Sequence, residues 1–294
     1  MTGAEPGTIL SAWMGRYLMS EPLQLLVVGA HPDDCSIKAG GIAAAYVDAG
    51  HDVTFCSVAN GDAGHHEMDR AAIAARRKRE TEAVAETLGI EYEVFDIPDG
   101  EIEPTLTNRN RLIRFIREVD PDLVLGPRTN DYHPDHRYTA ALVRDASYML
   151  IVPNVCPDVE ALTEMPVIGY VADYFQKPNP FEPDVVLDVD AYIETKFDAL
   201  HCHESQMYEW LPYTFGILEE VPDGDDARRQ WLEEVLYSHL QVNTPVSVAE
   251  RFGDELEAQY GAERGRAVSH AEAVEISEYG APLTAEAREK LFFF

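Results

Sequence analysis

Basic residues are scarce in this chain: 23 Lys and Arg stand against 53 Asp and Glu, a formal charge of −30. That balance argues against a nucleic-acid backbone or an anionic membrane as the main partner. Lysine is rarer still, present only at positions 38, 78, 177, 196 and 290. This suits a salt-rich cytoplasm and equally an acidic protein of an ordinary cell. The four cysteines (35, 56, 156, 202) share no CxxC spacing, so neither a disulfide framework nor a thiolate zinc site is expected, and a reducing cytoplasm is the expected location. Long apolar runs are missing. Residues 23–30 are too few to span a bilayer, and residues 1–20 lack a basic start followed by an apolar run. No targeting segment and no membrane insertion are expected. The glycine signatures GxGxxG and GxxxxGK[ST] and the nucleophile elbow GxSxG are absent too, which disfavours dinucleotides, nucleotide phosphates and a serine hydrolase of that type.

What the chain has is alternation. Across 294 residues with 46% apolar side chains, strand patterns at 23–29, 52–58, 92–97, 123–126, 167–171 and 185–189 are interleaved with helical patterns. The latter lie near 37–49, 68–88, 106–119, 136–149 and 191–208. The first four strands are each followed by a helix, which predicts an α/β fold: a Rossmann-like, mainly parallel sheet with helices on both faces. Residues 1–208 read as that core, with a short N-terminal segment 1–20. The proline-rich stretch 150–190 reads as loop-rich, wrapping the sheet edge. Residues 209–294 read as a helical, acidic C-terminal extension packed on the core.

Polar clusters sit where the strands end: "HPDD" after the first, "NGDAGHH" after the second, "PDGE" after the third and "RTNDYHPDH" after the fourth. In an open parallel sheet these loops gather at the carboxyl ends of the strands, where α/β proteins bind ligands. Two clusters carry metal chemistry, His31-Pro-Asp33-Asp34 and His133-Pro-Asp135-His136. Imidazole nitrogens plus a carboxylate, three ligands in all, leave a catalytic zinc ion one open position for water. A hydrolytic site also needs a base that is not a ligand, and two adjacent carboxylates supply both roles. Either cluster alone is equally well explained as a helix start, since Pro suits the first helical position and Asp the first turn. Two of them at the ends of two strands are harder to explain by capping.

At these residues the chain resembles the PIG-L/LmbE family of metal-dependent N-deacetylases, over about residues 23–208. The resemblance rests on "AHPDD" and the following "AGG", "AGHDVTFCSVANGDAG", "RRKRE…LGI", "PDLVLGPRTNDYHPDHR" and "ALHCHESQ". It implies that His31, Asp34 and His136 are ligands of Zn²⁺, or of another divalent metal such as Fe²⁺. It implies Asp33 as the general base toward the metal-bound water. His133 would serve as an imidazolium near the scissile carbonyl, with Asp135 orienting it and supporting its charge. The implied reaction removes an acetyl or similar acyl group from an N-acetylglucosamine-like sugar or glycoconjugate. Two positions depart from the family pattern: Cys35 stands where Glu is common, and Asp131 where some members carry Tyr, with Tyr132 beside it.

Weaker candidates for substrate contact are Arg77, Asn130, Asp131 and His203. The run 76–79 reads either as a solvated helix face or as a substrate clamp, and His65 and His66 as loop residues near substrate or simply on the surface. Cys35 and Cys56 read as core thiols. Alternatives from other classes are a catalytically weak or inactive sugar-binding homologue, a non-haem iron oxygenase, and a metal hydrolase of another amide or ester. A homo-oligomer built on residues 209–294 is a further expectation.

Overall fold

The computed structural model describes residues 22–239 and 244–294. The N-terminal segment 1–20 therefore lies outside the described residues. Strand β1 (Gln24–Gly29) runs up the middle of the sheet and is buried on both faces, as a continuous apolar run demands. Then follow α1 (Asp34–Asp48), β2 (Asp52–Ala59), α2 (Arg70–Leu88), β3 (Glu91–Ile97), α3 (Leu106–Val119), β4 (Leu123–Gly126) and α4 (Pro134–Ser147). Their boundaries follow side-chain chemistry. Asp69 and Thr105 cap α2 and α3 by accepting from the backbone N–H of Ala72 and Asn108, and Gly89 ends α2 at φ 71°; capping oxygens and a left-handed glycine satisfy the groups a helix end leaves bare.

Strands β5 (Val167–Val171) and β6 (Val185–Asp188) lie inside the proline-rich stretch. Helix α5 (Ile193–His201) leads to a π-helical turn, Ser205–Trp210, which runs on into α6 (Leu211–Phe215). Every strand and helix expected from the sequence up to this point is present.

The seven strands are ordered β3-β2-β1-β4-β5-β7-β6, where β7 is Ala271–Ile276. β1 pairs in parallel with β2 and β4, β2 with β3, and β4 with β5. β7 alone runs antiparallel to its neighbours β5 and β6. The segment 209–294 is largely helical, but it also supplies this strand, which the sequence reading did not contain. Four of its six residues, two Ala and two Glu, favour a helix, and insertion between two apolar strands overrides their propensity. The sheet thus spans both segments. Leu25 and Val27 face one apolar layer with Tyr46 and Phe55; Leu26 and Val28 face the other, with Ile113, Ile116 and Leu142, the period-2 alternation of a strand. Among the described residues no helix is long and apolar enough to cross a membrane.

Candidate metal centre and active site

β1 and β4 are neighbours, and from them the chain departs in opposite directions, to β2 on one side and β5 on the other. The loops that leave their carboxyl ends therefore meet at the switch point of the sheet. Gly29 ends β1 because a Cβ there would lie 2.7 Å from Asp34 Cβ. His31 follows, Asp33 occupies the N-cap of α1 and Asp34 is its first residue. The Asp33 carboxylate is buried yet caps nothing. Asp34 Oδ2 accepts from the backbone N–H of Ala30 and His31, both at 2.9 Å. Across the gap His133 is the N-cap of α4, Pro134 its first residue, and Asp135 and His136 sit in its first turn.

Three atoms from these loops converge. His31 Nδ1 lies 3.2 Å from His136 Nε2 and 3.6 Å from Asp34 Oδ2, and the third edge, His136 Nε2 to Asp34 Oδ2, is 3.5 Å. A tetrahedral site with bonds of roughly 2.0–2.1 Å has ligand–ligand edges of about 3.4 Å, so the triangle fits a metal. The outward nitrogens fit too: His31 Nε2 is 3.3 Å from Asp135 Oδ2, and His136 Nδ1 is 3.1 Å from Asp131 Oδ1. A carboxylate behind each ring fixes the tautomer with its proton outward and its lone pair inward. Wider groupings add His133 to His31 and His136, or set His31 with Asp99 and Asp135.

The charges agree with a cation-shaped gap. Burial works against an imidazolium at His31, but the bonds to Asp135 and Asp34 outweigh it and raise its pKa well above the ordinary value. His136 is likewise raised against its burial, by Asp34 and Asp131. Asp34 is held far below the usual carboxylate range despite its burial, by His136 and His31, whereas Asp33 is pushed up by burial and by the charge of Asp34. Two protonated rings pointing at one another across 3.2 Å would repel, and a divalent ion removes that conflict.

A family model described as "PIG-L: GlcNAc-PI de-N-acetylase" matches residues 26–147, the span holding both motifs. The diacetylchitobiose deacetylase of Thermococcus kodakarensis is 32% identical over 203 residues, covering 65% of this chain and 74% of that one. The chain belongs to the PIG-L family. Other activities occur among its relatives: a 4-oxalmesaconate hydratase of Pseudomonas putida is 28% identical over 212 residues, 69% of this chain and 81% of that one. The fold is shared with the solved N,N'-diacetylchitobiose deacetylase from Pyrococcus horikoshii, at a TM-score of 0.64 and 21% identity, covering 94% of each chain.

This PIG-L-family site departs from the sequence reading in several places. Asp135 was expected behind His133. Its Oδ2 instead faces His31 and accepts from Gly100 N–H at 2.6 Å. His133 Nδ1 accepts from Asp135 N–H at 3.2 Å, and its pKa is lowered by burial and by the neighbouring His31 and His136. A neutral ring with its proton on Nε2 fits those contacts better than the expected imidazolium. Asp131 lines the cleft, but its carboxylate is engaged with His136. Asn130 lies beside the cleft and donates to the Asn179 carbonyl.

Arg77 does line the cleft, buried, donating to Gly64 O and to Gln206. The charged run on α2 is split: Lys78 and Arg79 are exposed on a solvated face, whereas Arg76 and Arg77, with Glu80, fasten the π-helical turn. Arg76 binds both oxygens of Glu209 at 2.7 Å, and Glu80 accepts from the backbone and hydroxyl of Ser205 at 2.8 and 2.7 Å. His65 joins this fastening through Glu209, and His66 stacks between His65 and Tyr213. Cys35 packs in the core beneath the site, its thiol beside Val27 O and Cys56 O.

His203 is not brought to the cleft. It is 1% exposed, with Nε2 3.0 Å from Ser36 Oγ, and burial followed by the charge of Arg77 pushes its pKa down to about 3. A histidine kept neutral in the fold and titrating near 6.5 when unfolded stabilises fully above pH 6.5, and that contribution is lost as pH falls toward 3. Each unit of depression is worth about 1.4 kcal/mol. Urea melts of wild type and His203→Gln between pH 7 and pH 4 test this. The wild type is expected to lose several kcal/mol more than the variant over that span; parallel curves would show that His203 does not carry the dependence.

Sequence reasoning missed the walls of the site. The cleft, about 630 Å³, is also lined by Asp99, Asp173, Tyr174, Phe175, Trp210, Leu211 and Phe215. Tyr174 and Phe175 come from the loop after β5, which Arg128 pins by two 2.6 Å bonds to Asp173. Trp210 comes from the π-helical turn, a geometry often found at functional sites.

Proposed function

We propose that this protein is a metal-dependent N-deacetylase, removing an acetyl or similar acyl group from an N-acetylglucosamine-like sugar or conjugate. The observation that carries this reading is the triangle of His31 Nδ1, Asp34 Oδ2 and His136 Nε2 beside the uncommitted, buried carboxylate of Asp33. The deacetylase named among its relatives supports it. His31, Asp34 and His136 would hold the metal; two imidazoles and one carboxylate suit Zn²⁺, and Fe²⁺ accepts the same donors. Such an ion supplies Lewis acidity, activating water and polarising the acyl carbonyl.

The chain's own residues do the rest. Asp33, next in sequence to a ligand but pointing elsewhere, accepts a proton from the attacking water and returns it to the departing nitrogen. His133, through Nε2–H, donates to the carbonyl oxygen as charge builds there. Asp131 and Asp135 hold the two ligand rings in their tautomers. Water adds to the carbonyl carbon, the C–N bond breaks, and a carboxylic acid and a free amine leave.

The test is metal analysis joined to amine release from N-acetylated sugars. Wild type is expected to hold about one divalent ion per chain, and a chelator to abolish amine release until Zn²⁺ is restored. His136→Ala is expected to lose most of the metal, by at least the 10–100-fold in affinity that even outer-shell changes cause. A wild type that binds no divalent ion would overturn the reading.

A further inference from the structure

We infer that the substrate is an uncharged glucosaminide carrying an apolar, preferably flat, group beside the amide-bearing sugar, and that anionic conjugates are excluded; this rests on the deacetylase reading and narrows it. The first support is shape. At about 630 Å³ the cleft falls in the range that encloses a drug-sized ligand, more than one acetamido sugar needs. Beyond the His/Asp floor its lining is mostly apolar: Tyr132, Tyr174 and Phe175 form a first wall, and Trp210, Leu211 and Phe215 come from the π-helical turn and α6 with Gln206 and Thr214 among them. Tyr174 and Phe175 rings lie 4.6 Å apart, and Phe175 and Tyr132 6.3 Å, so the first wall is a continuous aromatic strip. Tyr132 is 70% exposed, Tyr174 42% and Phe215 38%. Large rings left in water around a catalytic floor mark a binding surface.

The second support is charge. Of the five carboxylates lining the cleft, Asp173 is neutralised by Arg128. The remaining four face only two lining cations, Lys38 and Arg77. A divalent ion brings that floor to neutrality and no further. Each cation also donates to neutral neighbours, Lys38 to Ala172 O and Arg77 to Gly64 O and Gln206. The floor then has no net positive charge to draw a phosphate or carboxylate on the substrate, and the chain's charge of −30 repels anions at a distance.

Four probes separate the possibilities: N-acetylglucosamine, its 6-phosphate, 4-nitrophenyl N-acetyl-β-glucosaminide and N-octanoylglucosamine. With the metal-loaded enzyme, KM for the aryl or the octanoyl sugar is expected about tenfold below that of the free sugar, and KM for the phosphate about tenfold above it. Whichever of the two apolar probes is preferred tells whether the walls meet the aglycone or the acyl chain. Tyr132→Ala and Tyr174→Ala, exposed enough to fold, are expected to raise KM of the preferred probe about fivefold to tenfold with kcat little changed. The rise for the preferred probe should exceed any change in KM for the free sugar. Binding of the product analogue 4-nitrophenyl β-glucosaminide to metal-free protein, read by quenching of tryptophan fluorescence, is expected to weaken in the same variants. If the phosphate is handled as well as the free sugar and both variants behave as wild type, the inference falls while the deacetylase stands. If no probe releases amine from metal-loaded enzyme, the deacetylase reading falls, and the fluorescence titration alone decides whether an apolar ligand binds.

Discussion

Replacing Asp33 with asparagine is expected to lower amine release by about 10²–10⁴-fold, the usual contribution of a positioned acid–base group, with metal content unchanged. The two effects separate because the carboxylate belongs to neither the triangle nor the helix cap. His31, Asp34 and His136 retain their mutual distances of 3.2–3.6 Å without it, and α1 loses no capping bond. Asparagine keeps the size and removes only the charge that Asp34 opposes, so the melting temperature should hold or rise. The check is kcat beside metal per chain and a thermal melt, all on one preparation. Loss of the metal together with activity would make Asp33 a ligand and overturn its role as base.

What the sequence made legible was whatever local pattern determines. β1 and β4 are apolar runs ended by a glycine and a polar cluster, so both histidine–aspartate motifs could be placed at the carboxyl ends of strands before any geometry was known. Adjacency of those strands then brings His31 and His136 together. Ring orientation was not legible. Whether Asp135 stands behind His133 or His31 depends on how α4 tilts against the loop holding Gly100, which no spacing encodes. His203 looked like a site residue because it lies in "HCHESQ"; the bonds from Arg77 and Glu80 to Gln206 and Ser205 show that this motif fastens a π-helical turn to α2, and its histidine packs inside. The aromatic walls come from a proline-rich loop and that same turn, irregular segments with no periodicity to read. β7 was hidden because alanine and glutamate favour a helix until a gap between two strands claims them.

That strand leads to the largest stability effect expected. Glu272→Ala should destabilise the protein by about 3–5 kcal/mol, the range for stripping one partner from a buried ion pair. Glu272 reaches from β7 into α1, whose backbone breaks at Ala39 (φ −141°, ψ 20°). Beyond the break its carboxylate accepts from the N–H of Gly41 at 3.0 Å and of Ile42 at 2.8 Å. Before it, Lys196 Nζ donates to Ile37 O at 2.6 Å and to Glu272 Oε1 at 2.6 Å. One ion pair thus splices the two halves of the helix, satisfying groups that the break would leave bare. The glycines make room: a Cβ on Gly40 would lie 3.0 Å from Lys196 Cγ, and one on Gly41 2.9 Å from Val189 Cβ. Burial opposes the charge on Lys196, but Glu272 holds its pKa up, so removing Glu272 strands an ammonium in the core beside two unpaired N–H groups. The half-helix released is the one beyond the break, so the urea midpoint should fall; the half bearing Asp34 keeps the Lys196 bond to Ile37 O, and metal affinity should fall less. Lys196→Met combined with Glu272→Gln removes both charges while leaving an acceptor for one N–H, and is expected to recover part of the loss. Equal midpoints for wild type and Glu272→Ala would show that the break in α1 holds without this splice.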